Sequence, residues 1–296
     1  MHDNGDGKAP SVLASLGAGA VSGGLAKTAI APFDRTKINF QVSRTRGYSF
    51  KAAIKFLKIS YQTEGFLALY RGNSATLARV VPYAAIQFAA HERCKFWLSV
   101  DKGGERTPVK RYIAGSFAGV IATICTYPLD TAKARLSTST KHEYAGIADV
   151  FKKVSKAEGM FALYRGMLPT LVGVIPYAGT SFFTFETLNL LYKEEMGAKP
   201  NALFVMLFGA VAGLVGQSSS YPLDIVRRRM QTARAPEGMN MLQVLSHIAR
   251  TEGVIRGLYK GLSMNWLKGP ISVGVSYTTF NFAFPAFSSY LNSFPR

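Results

Sequence analysis

A threefold internal repeat constrains the fold of this chain more than any other feature of its sequence. The segments PFDRTKINFQ, PLDTAKARLS and PLDIVRRRMQ begin at Pro32, Pro128 and Pro222, at spacings of 96 and 94 residues. About thirty residues after each proline comes Glu-Gly, followed by an aromatic residue, a cation and a glycine. Self-similarity at a fixed period indicates one supersecondary unit used repeatedly. We therefore expect a short tail at 1–12 and three like units at 13–104, 105–199 and 200–296.

Long stretches without charged side chains run through these units. Five of them have 18 to 27 residues: 9–26, 112–129, 166–185, 200–223 and 269–295. A sixth, near 73–98, is interrupted by Arg79. A helix needs about 20 residues to cross a bilayer core. In a chain that is 48% hydrophobic and only 18% charged, these stretches predict two spanning helices per repeat. The alternative is a large soluble helical core.

The predicted fold is therefore an all-α membrane protein with six transmembrane helices in three pseudo-symmetric repeats. In each repeat a long helix contains the repeat proline, which removes a backbone hydrogen bond and kinks the helix. A loop, a short amphipathic helix and a second spanning helix follow. The short helices are expected near 52–63, 145–157 and 240–251. Two spans per repeat leave both termini on one side of the membrane.

An acid and a base follow each proline at fixed spacing. Because they are three residues apart, they share one helix face. The acids are Asp34, Asp130 and Asp224, and the bases are Lys37, Lys133 and Arg227. In a threefold bundle the acid of one helix can meet the base of another, in the pairs Asp34–Lys133, Asp130–Arg227 and Asp224–Lys37. Partly buried pairs lie near break-even between desolvation and attraction, which suits a gate. The alternative is a local pair on a solvated helix end.

These repeats resemble the mitochondrial carrier family, whose signature is Pro-x-[Asp/Glu]-x-x-[Lys/Arg] followed by the glycine-containing loop motif. The resemblance covers about 13–291 in all three copies. It implies six tilted helices around a central cavity in the inner mitochondrial membrane, with both termini in the intermembrane space. It also implies alternating access, with the ring of ion pairs as the matrix gate. Glutamine braces beneath the pairs are implied at Gln41 and Gln231, where the second repeat has Ser137 instead.

The same resemblance implies a second gate on the cytosolic side, from the pattern aromatic-[Asp/Glu]-x-x-[Lys/Arg]. The matching positions here are Glu92, Lys95 and Glu186. Only the first copy has both an acid and a base. We therefore expect the cytosolic gate to be the weaker one.

Residues that break the threefold pattern should contact an asymmetric solute. Seven residues after the loop glycines come Arg79, Gly173 and Lys268, which align with the family's three substrate contact points. Arginine binds phosphate in a bidentate way, whereas lysine is a mobile point charge. Gly173 and Val174 offer a flat surface to a planar ring, and the resemblance associates such a pair with adenine compounds. Further candidates for the cavity are Lys27, Tyr83, Tyr177 and Asn265. For Lys27 the alternative is snorkelling to an interface, and for the tyrosines it is packing.

The net charge of +18 favours anionic partners. The resemblance implies exchange of coenzyme A or dephospho-coenzyme A for adenine nucleotides such as ADP or adenosine 3′,5′-bisphosphate. It also implies cardiolipin at the matrix side, and one chain encloses its own cavity as a monomer. Two alternatives stay open: an adenine nucleotide carrier of the ADP/ATP/AMP or ATP-Mg/phosphate type without coenzyme A specificity, and a proton-leak carrier of the uncoupling type.

Other classes of protein fit the sequence less well. It has no H-E-x-x-H, G-x-S-x-G, Walker loop or C-x-x-C, and its four histidines and two cysteines are scattered. We therefore expect no enzyme activity, no metal and no cofactor. A nucleic-acid binder would need its basic residues clustered on a solvated face. Here many alternate with the uncharged stretches, and anionic lipid accounts for the remainder.

Overall fold

The computed structural model describes residues 12–44, 47–100, 107–140, 142–198, 200–236 and 238–292. Within these ranges the chain is helical and has no strand, as expected. In chain order the helices are α1 (Val12–Val42), α2 (Phe50–Glu64), α3 (Asn73–Trp97), α4 (Pro108–Thr138), α5 (Ile147–Glu158), α6 (Met167–Met196), α7 (Ala202–Gln231), α8 (Met241–Glu252) and α9 (Leu262–Asn292). Residues 1–11 of the expected tail and the expected boundary at 104/105 lie outside the described ranges, and the division into repeats stays a prediction.

Helices α2, α5 and α8 are short and begin and end within two residues of the expected positions. The first turns of α2 and α8 are capped by local hydrogen bonds: Ala52 N donates to Ser49 Oγ at 3.1 Å, and Asn240 N donates to Gln243 Oε1 at 2.9 Å. Such caps satisfy backbone groups that the helix itself leaves unpaired. Each short helix ends at the glycine of a Glu-Gly pair, where φ is 80–86°. Glycine accepts this left-handed backbone without a Cβ penalty.

The six long helices pack mainly across the boundaries between predicted repeats. Helix α3 packs on α4, α6 on α7, and α9 on α1, so the last helix returns to the first and closes a ring. Helices α1, α4 and α7 also contact one another. The six long helices therefore surround a central space.

The three clusters of buried apolar residues lie at the end of the bundle that carries the short helices. One cluster joins α4 and α5 through Val150, Val154 and Leu136, and a second joins α7 and α8 through Val244, Ile248 and Ile225. A third joins α1, α2 and α9 through Phe40, Ala53 and Met264. This end of the bundle is thus well packed, and it fixes the positions of the functional side chains described below.

Proline lies inside every long helix. Pro32, Pro128 and Pro222 lie inside α1, α4 and α7, as expected. The other three long helices also contain prolines that recur at repeat spacing: Pro82, Pro176 and Pro270. Because proline removes one internal hydrogen bond, each long helix has a point of reduced rigidity near mid-length.

The first long helix of each repeat contains a G-x-x-x-G pair: Gly19/Gly23, Gly115/Gly119 and Gly209/Gly213. Such motifs commonly bring helix backbones together in membranes, but these pairs make no close contact with a neighbouring helix. A Cβ built at Gly19, Gly23, Gly119, Gly209 or Gly213 would meet no described atom within 4 Å. The close approach is made elsewhere. At Gly216 of α7 a Cβ would lie 2.8 Å from the Tyr177 carbonyl oxygen and 1.9 Å from Ser181 Oγ of α6.

Three of the described helical segments are long and apolar enough to cross a membrane by length and composition alone. They are Val109–Thr138, Met160–Met196 and Ala202–Gln231.

Candidate functional site

The C-terminal halves of α1, α4 and α7 are joined by three ion pairs. Lys37 Nζ lies 2.8 Å from Asp224 Oδ2, and Lys133 Nζ lies 2.9 Å from Asp34 Oδ2. Arg227 Nη2 donates to Asp130 Oδ2. The structure thus brings together the three acid–base pairs that the repeat spacing predicts, each between different helices. We call these six side chains the ionic ring.

Two glutamines brace the ionic ring from below. Gln41 Nε2 donates to Asp224 Oδ2 at 3.0 Å, and Gln231 Nε2 donates to Asp130 Oδ2 at 2.7 Å. Ser137 makes no such contact and instead donates to the Arg71 carbonyl oxygen at 3.4 Å. Two of the three pairs therefore have a brace, at the positions that the sequence predicts.

A second set of ion pairs surrounds the ionic ring, and sequence reasoning missed it. Arg135 donates to both carboxylate oxygens of Glu158, at 2.7 and 2.9 Å, and its Nε donates to the Gln231 carbonyl oxygen at 2.7 Å. Arg229 likewise holds Glu252 at 2.5 and 2.7 Å, and the Gln41 carbonyl oxygen at 3.1 Å. Each arginine thus ties a short helix to the end of the next long helix.

The first repeat builds this junction differently. Its arginine is Arg35, four residues earlier in the repeat, and it lies 3.4 Å from Glu64 Oε2 and 3.4 Å from the Ser137 carbonyl oxygen. Asn39 occupies the position of the other arginines and donates to that same carbonyl oxygen at 2.7 Å. We call the arginine–glutamate pairs of the three repeats the outer ring. The glutamates of the recurring Glu-Gly pairs were a signal for it.

A cavity of about 400 Å³ lies above the ionic ring and contains most of the predicted substrate residues. Gly173, Val174 and Tyr177 of α6 line one side, and Asn265 and Lys268 of α9 line another. A Cβ at Gly173 would make an ordinary 3.6 Å contact with Leu223. Packing alone therefore does not require glycine at this position.

Arg79 and Lys268, the two cations at the predicted substrate contact points, bind carboxylates of the ionic ring. Lys268 Nζ lies 3.0 Å from Asp34 Oδ1, and Arg79 Nη1 lies 3.3 Å from Asp130 Oδ1. The guanidinium of Arg79 also lies 5.1 Å from the centre of the Tyr83 ring, within the range of a cation–π contact. These cations are therefore held at the ring while remaining partly exposed.

Lys27 and the predicted residues of the opposite gate lie apart from this cavity. Lys27 is exposed and lines a small side pocket with Asp34 and Lys133. Lys95 Nζ pairs with Glu92 of its own helix at 2.9 Å. Among the described residues Glu186 makes no ion pair, and no ion pair joins α3, α6 and α9 to one another. The ionic contacts between helices are therefore concentrated at one end of the cavity.

A further cation at the cavity, Arg228, was missed because only the third repeat has a base at that position. Its side chain lies 3.5 Å from Asp130 Oδ2 and 3.9 Å from Asp224 Oδ1. With it, the ionic ring and the cations that contact it comprise six cations and three carboxylates, a surplus of three positive charges at and beside the cavity. The cations are Lys37, Arg79, Lys133, Arg227, Arg228 and Lys268, and the acids are Asp34, Asp130 and Asp224. An anionic ligand would offset this surplus.

Groups that could hold a metal ion are not found in the described part of the chain, where no three His, Cys, Asp or Glu side chains cluster. The site that the structure describes is a cation-rich cavity with a ring of ion pairs at one end.

Comparison with known proteins agrees with this geometry. A family model described as mitochondrial carrier protein matches residues 8–102, 104–196 and 199–290. The chain is 54% identical over 277 residues to the mitochondrial coenzyme A transporter SLC25A42 of Xenopus tropicalis, covering 92% of this chain and 84% of that protein. It is 55% identical to the human protein of that name, over 91% of this chain and 86% of that protein. Solute carrier family 25 member 16 of Mus musculus is 41% identical to this chain over 288 residues, which cover 90% of this chain and 86% of that protein.

Proposed function

This chain is a member of the mitochondrial carrier protein family, and we propose that it exchanges coenzyme A or dephospho-coenzyme A for adenine nucleotides such as ADP or adenosine 3′,5′-bisphosphate. Family membership makes it a transporter rather than an enzyme. The mitochondrial coenzyme A transporters that it matches along most of its length support this choice of substrate over a proton leak.

The observation that carries the proposal is the surplus of three positive charges at and beside the cavity. Buried or half-buried cations are costly unless they meet an anion. Coenzyme A has a pyrophosphate and a further phosphate on its ribose, so it offers several negative charges close together. Arg79 can hold a phosphate through two hydrogen bonds, and Lys268 can follow a moving one.

The other side of the cavity suits the adenine ring. Gly173 presents backbone without a side chain, and Val174 is 58% exposed beside it, so a planar ring can lie against both. Tyr177 lines the same side. A ligand with phosphates at the cationic floor and its ring against α6 fits an adenine nucleotide, and the pantetheine arm of coenzyme A extends toward the open end.

The six long helices cross the inner mitochondrial membrane, with both termini in the intermembrane space. They contain 25 to 31 residues, whereas about 20 suffice for a bilayer core, so they are tilted. The repeats at 13–104, 105–199 and 200–296 each supply two spans and one short helix on the matrix side. Basic residues in the matrix loops bind cardiolipin, and the chain acts as a monomer because its six helices enclose the cavity.

Transport follows from competition for the cations. In the structure Lys268 and Arg79 bind Asp34 and Asp130 of the ionic ring. A phosphate that takes these cations removes two contacts from the ring, which is the matrix gate. The ring then opens with the substrate in place, and Glu92, Lys95 and Glu186 approach one another at the cytosolic gate. Prolines inside every long helix give the motion its points of flexure.

A counter-exchange experiment in proteoliposomes tests the proposal. Vesicles are loaded with ADP, adenosine 3′,5′-bisphosphate or dephospho-coenzyme A, and uptake of labelled coenzyme A is measured. Arg79→Ala and Lys268→Ala should each lower uptake at least tenfold, whereas Lys153→Ala on the exposed face of α5 should match the wild type. Full activity in both cavity variants would remove these residues from the site. No exchange of any purine-containing metabolite by the wild type would reject the function.

A further inference from the structure

We infer that Gln217 recognises the purine ring of the substrate as a hydrogen-bond donor, and that the ionic ring fixes this polarity through Asn265. The inference rests on the proposed function, which it deepens by naming a residue for ring recognition. Gln217 lines the same cavity as Gly173, Val174 and Tyr177, where the ring is expected to lie.

A chain of three hydrogen-bonded side chains connects Gln217 to the ionic ring. Lys37 Nζ lies 2.8 Å from Asp224 Oδ2 and 3.1 Å from Asn265 Oδ1. Asn265 Nδ2 lies 2.8 Å from Gln217 Oε1. Lys37 and Asn265 are both buried, so their hydrogen-bonding groups do not exchange freely with water. The cavity wall and the gate are therefore joined by direct contacts.

The lysine determines the orientation of both amides. An ammonium group has three donors and no acceptor, so Asn265 must turn its oxygen toward Lys37. The nitrogen of Asn265 then faces Gln217, which must turn its own oxygen toward it. The remaining group of Gln217 is its NH₂, and no described residue accepts a hydrogen bond from it. Gln217 therefore presents a donor to the cavity, and the ring nitrogens of adenine are acceptors.

Only the third repeat has this arrangement. The positions that correspond to Gln217, five residues before each repeat proline, are Lys27 and Thr123. Thr123 Oγ1 donates to the Gly119 carbonyl oxygen of its own helix at 2.7 Å, and Lys27 forms no ion pair with a described residue. Gln217 breaks the threefold pattern and lies beside Gly173 and Val174, where the purine ring is expected to lie. Such a residue is suited to an asymmetric ligand.

The arrangement also depends on the state of the gate. When the ionic ring opens, Lys37 of α1 separates from Asp224 of α7 and from Asn265 of α9. Asn265 is then free to rotate, and Gln217 no longer has a fixed polarity. The purine ring is thus held by an oriented donor while the matrix gate is closed, and the hold weakens as the gate opens toward release.

The first test separates ring recognition from phosphate binding. Labelled ADP exchange is inhibited by unlabelled ADP or by inorganic pyrophosphate, which has no ring. Gln217→Met keeps the chain length of the side chain and removes the donor, so the inhibition constant for ADP should rise about tenfold, the loss of one hydrogen bond. The constant for pyrophosphate should stay within twofold. Thr123→Val, the matched position in the second repeat, should leave both constants within twofold.

A double-mutant cycle tests the connection through Asn265. Because Asn265 orients Gln217, Asn265→Ala should also raise the inhibition constant for ADP. In the Gln217→Met/Asn265→Ala double variant, the fold-increase of this constant should be smaller than the product of the two single fold-increases. An unchanged ADP constant in Gln217→Met, an equal rise for pyrophosphate, or multiplicative losses in the cycle would each overturn the inference. A wild type that exchanges no purine compound would instead reject the proposed function.

Discussion

At the scale of single residues, every carboxylate of the ionic ring contacts at least one cation in addition to its partner in the ring. Asp34 has Lys268 at 3.0 Å, and Asp130 has Arg79 at 3.3 Å. Asp224 has Arg228 at 3.9 Å. The ring is thus an excess-cation cluster rather than three isolated pairs. The cluster has three more cations than carboxylates, so an anion that binds Arg79 or Lys268 would compete with Asp130 or Asp34 for that cation.

Arg228 provides a test of this excess. Arg228→Gln lowers the surplus from three charges to two and keeps a hydrogen-bonding side chain of related shape. We expect the KM for coenzyme A or ADP to rise about tenfold, the effect of one charge-assisted hydrogen bond. Saturation curves for uptake into loaded proteoliposomes measure it. Arg250→Gln, on the exposed face of α8, is the control for a general loss of positive charge. Equal KM values in wild type and Arg228→Gln would contradict a role in anion binding.

The ionic ring could be predicted from the sequence because each of its members recurs at a fixed distance from a repeat proline. Gln41 and Gln231 were implied by the resemblance to the family, since the second repeat has Ser137 at the same position. Arg228 could not be predicted, since it occurs in one repeat only and follows another arginine. The outer ring was obscured by a change of position: the first repeat places its arginine at Arg35, whereas the others use the site that holds Asn39 in the first repeat. Only the folded geometry shows that both positions reach the same neighbours.

At the scale of helices, the glycines that precede α3 and α6 each make a close contact with a neighbouring backbone that a side chain would obstruct. Gly166 has φ of 85°, and a Cβ there would lie 2.8 Å from the Arg227 carbonyl oxygen of α7. Gly72 has φ of 88° and a similar contact with the Lys133 carbonyl oxygen, at 3.0 Å. These glycines let the second long helix of one repeat begin directly against the first long helix of the next.

Gly166→Ala should therefore destabilise the protein strongly. The left-handed backbone costs a residue with a Cβ roughly 1–2 kcal/mol, and the contact with the carbonyl oxygen adds to it, for a total of roughly 2–4 kcal/mol. Thermal unfolding in detergent should show a melting temperature lower by several °C. Gly213→Ala is the matched control, because that helical glycine has no described atom within 4 Å of a built Cβ. A Gly166→Ala protein as stable as Gly213→Ala would contradict the packing argument.

The short helices are anchored by the outer ring, and this anchoring should depend on pH. Hydrogen bonds from Arg135 lower the pKa of Glu158 below its ordinary value of 4.5. A lowered pKa stabilises the fold above the ordinary value, and the stabilisation is lost as the pH falls through the folded value. At pH 7, Glu158→Gln should cost about 1 kcal/mol, since the carboxylate is partly exposed.

The corresponding measurement is the difference in melting temperature between wild type and Glu158→Gln from pH 7 down to pH 4. The difference should be constant near neutrality and shrink below the ordinary pKa, as Glu158 of the wild type becomes protonated. Glu194→Gln, at an exposed position near the end of α6, should show no comparable difference. A difference that grows toward low pH would contradict the sign of the effect.

Element positions followed from the repeats, whereas the role of the G-x-x-x-G glycines did not. The short helices lie where amphipathic segments precede each Glu-Gly, because local caps and a glycine stop define their ends without reference to the rest of the fold. Helix contacts depend on which faces meet. The pairs at Gly19/Gly23 and Gly209/Gly213 lie where no described neighbour is within reach, and Gly216 makes the close approach instead.

At the scale of the whole molecule, the structure has its ionic contacts at one end and leaves the other end without ion pairs between α3, α6 and α9 among the described residues. The direction of this asymmetry follows from the sequence, because all three repeats have an acid and a base after the repeat proline, whereas only the first has both at Glu92 and Lys95. The sequence does not predict that this one pair lies within a single helix. The sequence specifies which pairs can form, and the conformation decides which are formed. A test of the gate therefore has to change the pairs and measure turnover.

Charge exchange within the ionic ring makes such a test, and the structure ranks its outcomes. Asp224→Lys or Asp130→Lys alone places a cation among cations and should reduce exchange at least tenfold. Adding Lys37→Asp to the first restores a pair whose nearest further cation, Arg228, is 3.9 Å from Asp224. Adding Arg227→Asp to the second leaves the new lysine beside Arg79 and Arg228, which lie 3.3 and 3.5 Å from Asp130.

Rescue should therefore be greater for the Asp224–Lys37 exchange, when initial rates of coenzyme A uptake are compared at equal amounts of folded protein. Equal rescue would mean that the neighbouring cations do not act on the gate, and no rescue of either pair would mean that the ring does not open by breaking these contacts.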